Sequence, residues 1–133
     1  MIFIDADAFI GISVPLDAHH QNAGNRFEQL KERGEELITS WDVVGEVATK
    51  LSRFTTKKTA LQFLKFLEQS SIQVFFIDEK LVDEVLGLFS KQSSKRVSLT
   101  DCANMAIAKK LGVKVFLSFD DHYCQNGFRL FGS

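Results

Sequence analysis

Two short, unbroken apolar runs each close on an aspartate: Ile2-Phe3-Ile4 before Asp5, and Val115-Phe116-Leu117-Ser118-Phe119 before Asp120. A strand buried on both faces reads as such a run, and burial on both faces is a property of parallel sheets covered by helices. Strands are predicted over residues 2–5, 36–39, 73–77, 114–118 and, briefly, 128–131. Between them, residues 20–33, 41–53, 56–70, 79–91 and 100–111 read as helices, several with apolar side chains at i, i+3, i+4 spacing. Gly34 and Gly112 stand where two of these helices should stop, and Thr100 where the last should be capped. Short strands alternating with helices of this length require crossover connections, which places helices on both faces of the sheet. The fold class is therefore α/β, with a mostly parallel central sheet of about five strands in one domain over residues 1–133.

Composition narrows the classes. At 133 residues, 45% apolar and 25% charged, the chain can bury one sizeable core. A formal charge of −1 supplies no global basic field of the kind that marks many nucleic-acid binders, so any such binding needs a local patch. Cys102 and Cys124 have neither CxxC nor zinc-ligand spacing, which points to a reducing, cytoplasmic setting. The amino terminus has no signal-peptide pattern and no apolar run is long enough to span a bilayer, so neither secretion nor membrane insertion is expected. No Walker A, G-x-G-x-x-G or G-x-S-x-G string occurs, which removes three large enzyme classes.

The acids are what remains. In an open α/β sheet the ligand crevice lies beyond the carboxyl ends of the strands, where Asp5 and Asp120 would sit. Asp7 follows Asp5 by two residues, Glu46 borders the apolar face made by Val43, Val44, Val47 and Leu51, and Asp101 opens the helix of Ala103, Ala106 and Ile107. Each also has a plainer reading. Asp5 or Asp7 can cap a helix, Asp101 can compensate a helix dipole, Glu46 can be solvated, and Asp120-Asp121 can form a turn. Together they favour a hard divalent ion, because acids gathered in one crevice repel one another unless a cation neutralises them. Lys50, Arg53, Lys57 and Lys58 cluster near Glu46, either as a solvated face or as holders of phosphates. His19, His20 and His122 have no metal-ligand spacing and read as loop or surface residues.

Four segments in this order, Phe3-Ile4-Asp5-Ala6-Asp7-Ala8-Phe9-Ile10, Thr39-Ser40 before Val43-Val44-Gly45-Glu46-Val47, Leu99-Thr100-Asp101-Cys102-Ala103 and Leu117-Ser118-Phe119-Asp120-Asp121-His122-Tyr123, resemble the PIN-domain ribonucleases, in particular the VapC-like toxins. The resemblance spans almost the whole chain. It implies a PIN-like, Rossmann-like α/β/α sandwich, a Mg2+- or Mn2+-dependent endoribonuclease, a homodimer, and a small antitoxin protein as partner. Carried over by position, Asp5, Glu46, Asp101 and Asp120 form the catalytic, metal-holding cluster, with Asp7, Thr39 and Ser118 hydrogen-bonding around it. The His19-His20 loop is similar to a histidine-bearing segment of many relatives. Asp7 departs from the pattern, standing where relatives commonly have Ser, Thr or Asn. A haloacid-dehalogenase-like phosphatase shares Asp5-x-Asp7, Thr39-Ser40 and Asp120-Asp121, but Phe9 stands where its first motif has Thr or Val, and Glu46 and Asp101 are left without a role. A receiver domain would use Asp78 but lacks its lysine after the fifth strand. A non-catalytic PIN-like binding subunit is the third alternative. For the homodimer, the helices over 56–70 and 79–91 present Phe63, Phe66, Leu67, Leu86 and Phe89 on surfaces wider than one sheet covers.

Overall fold

The alternation of strands and helices is realised in a computed structural model that describes residues 1–132. Ser133, the last residue of the expected domain, lies outside the described residues. The chain runs β1 (Ile2–Ile4), α1 (Ala6–Ser13), α2 (His20–Arg33), β2 (Leu37–Ser40), α3 (Trp41–Phe54), α4 (Lys57–Gln69), β3 (Gln73–Phe75), α5 (Glu79–Lys91), α6 (Leu99–Leu111), β4 (Val115–Leu117) and β5 (Arg129–Leu130), with a 3-10 turn over Asp121–Asn126. The strands form one sheet in the order β3-β2-β1-β4-β5, and every pairing is parallel.

That order follows from handedness. The crossovers β1 to β2 and β2 to β3 step one way across the sheet, while β3 to β4 returns past β1. Right-handed crossovers in opposite directions lay their helices on opposite faces. The helix contacts agree: α1 touches α2 and α3, and α3 touches α4, whereas α5 packs mainly on α6. Between the layers lie Phe3, Ile4, Phe9, Leu30, Ile38, Val43, Met105, Phe116 and Leu117, all fully enclosed. Burying each large side chain of this kind contributes roughly 1.5–3 kcal/mol of transfer free energy. Phe3 stacks on Phe116 at 4.8 Å across β1 and β4, which pins the two strands that flank the topological reversal.

Two local expectations are corrected. The predicted helices leave out Ala6–Ser13, to which only the cap reading of Asp5 or Asp7 points, and α1 occupies it, because Asp5 caps the segment and Ala6, Ala8, Phe9 and Gly11 find burial there. Helix α6 is capped by Ser98 rather than Thr100; the Ser98 hydroxyl accepts from the Asp101 amide at 3.0 Å and Asp101 Oδ2 accepts from the Ser98 amide at 2.8 Å. Gly34 and Gly112 do end their helices, each in the left-handed conformation that favours glycine. Cys102 is buried, Cys124 is exposed, and the two are not joined. No helix among the described residues is long and apolar enough to cross a membrane.

Candidate active site

The strand order reverses between β1 and β4, and a crevice forms where the connections diverge at such a point. Pairing of Ile4 with Leu117 brings Asp5 level with Ser118, one residue beyond the strand ends. On its other side the β1–β2 register brings Asp5 level with Ser40. Asp5 also caps α1: its Oδ1 accepts from the Ala6 amide at 2.8 Å. The cap and the site are thus one arrangement, since a residue that ends a strand and starts a helix at the crevice must point its side chain into it.

Asp5 is 5% exposed. Its Oδ2 accepts from the Ser118 hydroxyl at 3.1 Å, and the same hydroxyl stands 3.3 Å from Asp7 Oδ2. One proton cannot serve two carboxylates fully. Asp7 Oδ2 also accepts from the Phe119 amide at 2.8 Å, while Asp7 Oδ1 is buried with no hydrogen-bond partner among the described residues. Burial, then the neighbouring charge of Asp7, and to a lesser degree that of Asp101, push the Asp5 carboxyl well above the usual carboxylate range, against the Ala6 amide and Ser118, which lower it. Burial raises Asp7 as well, joined by the charge of Asp120 and opposed by the Phe119 amide.

Asp101 enters from α6. Its Oδ1 accepts from the Tyr123 hydroxyl at 3.2 Å, and its Oδ2 lies 3.2 Å from His122 Nε2, an ion-pair distance at which the ring nitrogen is not aligned to hydrogen-bond. His122 Nδ1 is 3.8 Å from Asp120 Oδ1, so the imidazole stands between the two acids. Asp120 is at the mouth, its side chain half exposed and its amide donating to Ser118 Oγ at 3.2 Å. Tyr123 is fully buried, and burial first, with the charges of Asp5 and Asp101, raises its phenol well above the usual value.

The sequence-predicted residues therefore divide. Asp5, Asp7, Asp101, Asp120 and Ser118 are drawn into one linked group by the contacts above. Glu46 is half-buried and pairs with Lys50 at 3.5 Å, one turn along α3, rather than with another acid. Thr39 donates to the Ile4 carbonyl at 2.8 Å, tying β2 to β1, and touches no carboxylate; it is Ser40 beside it that reaches the acid group, through Asn104. Arg53 and Lys57 line a shallow depression of about 290 Å³ with Ala48, Thr49 and Ser52, and Lys58 is exposed. His20 Nδ1 bonds the Gly11 carbonyl at 2.8 Å, while His19 stacks on Phe119 at 4.2 Å on the rim. Sequence reading missed Ser40, Asn104, Tyr123 and the placement of His122. A signal existed for one of them, because Asn104 is a polar residue inside the apolar run Ala103 to Ile107, one turn from Asp101. An open concavity of about 790 Å³ lies elsewhere, lined by Ile2, Glu32, Glu35, Val115 and Arg129, and Asp5, Asp7, Asp101 and Asp120 are not among its lining residues.

The residues fit a divalent ion. Among the described residues no three His, Cys, Asp or Glu side chains make a ready cage. Mg2+ does not ask for one, since it keeps several waters and binds through one or two carboxylates. A buried carboxylate oxygen on Asp7 without a partner among the described residues, beside an Asp5 whose ionisation is opposed by burial and by Asp7 and Asp101, is an arrangement that a bound cation would relieve.

A parallel sheet with a reversal between β1 and β4, and acids from β1, α6 and the β4 end meeting at that reversal, defines an α/β protein with an acidic crevice. The family model for the PIN domain matches residues 2–129, and the chain belongs to that family. Its fold is that of VapC20 of Mycobacterium tuberculosis, a sarcin-ricin loop cleaving toxin, with a TM-score of 0.84 over 96% of both chains at 21% identity. No curated protein matches the chain.

Proposed function

We propose that the chain is a metal-dependent endoribonuclease that hydrolyses RNA phosphodiesters, working in the cytoplasm as the toxin of a toxin-antitoxin pair. The observation that carries this reading is Asp5, a buried carboxylate at the sheet reversal crowded by Asp7 and Asp101, in a chain of the PIN family. Asp5 and Asp101 would be the leading holders of Mg2+ or Mn2+, and Asp120 would complete the set from the mouth, directly or through water. Glu46 would join them on release from Lys50, a surface pair whose loss costs about 1 kcal/mol or less. When bound, the ion supplies Lewis acidity toward the phosphodiester and the attacking water.

The chain's own residues do the rest. The carboxylates orient a water against the phosphorus and accept its proton, so no side-chain nucleophile is required. Ser118 holds Asp5 and Asp7 in place while its oxygen fixes the Asp120 amide. Lys50, Arg53, Lys57 and Lys58 would hold RNA phosphates along α3 and α4; Arg53 lies seven residues beyond Glu46, roughly 10 Å along the helix. A small antitoxin with a basic carboxy-terminal tail is the partner that suits an acidic crevice, and a second copy of the chain is the other.

Asp5→Asn tests the core of this, because it removes one ligand charge and keeps the shape. Cleavage of labelled RNA in Mg2+ or Mn2+ should fall at least about a hundredfold with the circular dichroism unchanged. Wild-type cleavage by the folded variant would sink the reading, and a hydroxylamine-labile phosphoryl group on Asp5 without RNA cleavage would replace it with the phosphatase.

A further inference from the structure

Asn104 is fully buried on α6, three residues after Asp101, among Ala103, Met105, Ala106 and Ile107. A primary amide in such surroundings is costly unless its hydrogen-bonding groups are matched. Here they are. Ser40 Oγ lies 2.7 Å from Asn104 Oδ1, and Asn104 Nδ2 lies 3.4 Å from Asp5 Oδ1 and 3.2 Å from Tyr123 Oη.

The direction of every bond in this chain is fixed by its neighbours. Ser40 caps α3 by accepting from the Val43 amide at 3.0 Å, and the proton of its hydroxyl points to Asn104. Tyr123 gives its one proton to Asp101 and can only accept from Asn104, so the amide oxygen faces Ser40 and the amide protons face Tyr123 and Asp5. Tyr123 Oη accepts one of them and donates its own proton to Asp101 Oδ1 at 3.2 Å. Its ring has little freedom to move, stacked on Phe116 at 4.1 Å. Donors thus run from the start of α3 to two carboxylates from different elements, and none runs the other way.

We propose that Asn104 is a positioning residue which, with Tyr123 as its relay, sets the separation and orientation of Asp5 and Asp101 in which the two jointly take a divalent ion, and locks the start of α3 to that arrangement. This rests on the reading that these acids hold a metal ion. A packing residue would serve a buried helix face equally well with leucine. A positioning residue would not, because leucine fills the space but directs nothing at the acids.

The test compares wild type with Tyr123→Phe, which removes one oxygen and keeps the stacked ring, and Asn104→Leu. Mn2+ binding is measured by calorimetry without RNA, and kcat and KM are measured separately on an RNA oligonucleotide. Both variants should bind Mn2+ roughly ten- to a hundredfold more weakly and lose kcat by a similar factor, with KM unchanged. Wild-type Mn2+ affinity in folded Tyr123→Phe would overturn the relay even if Asn104→Leu fails to fold. Absence of Mn2+ binding in the wild type would instead overturn the metal reading, and this inference with it.

Discussion

At Asp7 one carboxylate oxygen accepts from the Phe119 amide and a shared serine proton, while the other is buried with no partner among the described residues. Asp5 beside it is in a similar conflict, and the folded-state pKa of both is raised, by burial first. A raised folded value means that the protonated forms stabilise the fold: this contribution is complete below the unfolded carboxylate value, about 3.9, and is lost as pH rises through the folded value. In chelator, the melting temperature should therefore fall as pH rises through that range. Asp7→Asn should flatten the fall and stabilise the metal-free protein at neutral pH by on the order of 1 kcal/mol. Millimolar Mg2+ should restore wild type, since binding favours the native state by mass action. Thermal melts at several pH values check all three, and an Asp7→Asn variant less stable than wild type in chelator at neutral pH would contradict the account. At this scale the sequence showed the acids, because a carboxylate that ends an apolar run is visible as a residue type. It did not show Tyr123, whose ring belongs to the core and whose hydroxyl alone reaches the site.

Among the elements, α1 and the start of α6 are where local sequence misled. Ala6–Ser13 has β-branched and glycine residues and no clear helical stripe, so its intrinsic preference is weak. Tertiary contacts make it a helix: Asp5 caps it, and Gly11 lets α2 approach so closely that an added Cβ would stand 3.1 Å from Ala23 Cβ. For α6 the competing caps, Ser98 and Thr100, are both good residues for the position, and the reciprocal bonds with Asp101 favour Ser98. Ser98→Ala should cost about 1 kcal/mol of stability and lower RNA cleavage by fraying the first turn that seats Asp101, although the Ser98 amide can still donate to its carboxylate, whereas Thr100→Ala should leave both nearly unchanged. Equal losses in the two variants, read by melting and by cleavage assay, would show that the cap is not what seats Asp101.

For the whole molecule the open question is what meets its exposed apolar surface. Of the residues expected to form a dimer contact, Phe63 and Leu67 are buried in the chain's own core, while Phe66, Leu86 and Phe89 are each close to half exposed. Val82, Leu86 and Leu99 line a groove of about 200 Å³, and nearby on the β2–β3 side Trp41 stacks on Phe76 at 5.8 Å with both rings largely exposed. A homodimer through α5 would cover part of this surface, and light scattering at micromolar concentration should then report twice the 15.0 kDa chain mass. Leu86→Glu should return it to one chain; a strict monomer in the wild type would remove the homodimer. The sequence by itself determined the alternation of elements, the parallel sheet and the acids at the carboxyl ends of its strands, because hydrophobic period and strand-end carboxylates are local properties of a chain. Tertiary structure alone decided that Ser40, Asn104 and Tyr123 join those acids, that Thr39 bonds backbone instead, and that Glu46 turns to Lys50. Those outcomes depend on register across β1, β2 and β4 and on the packing of α6 beneath them, where a shift of a few ångströms makes or breaks a hydrogen bond.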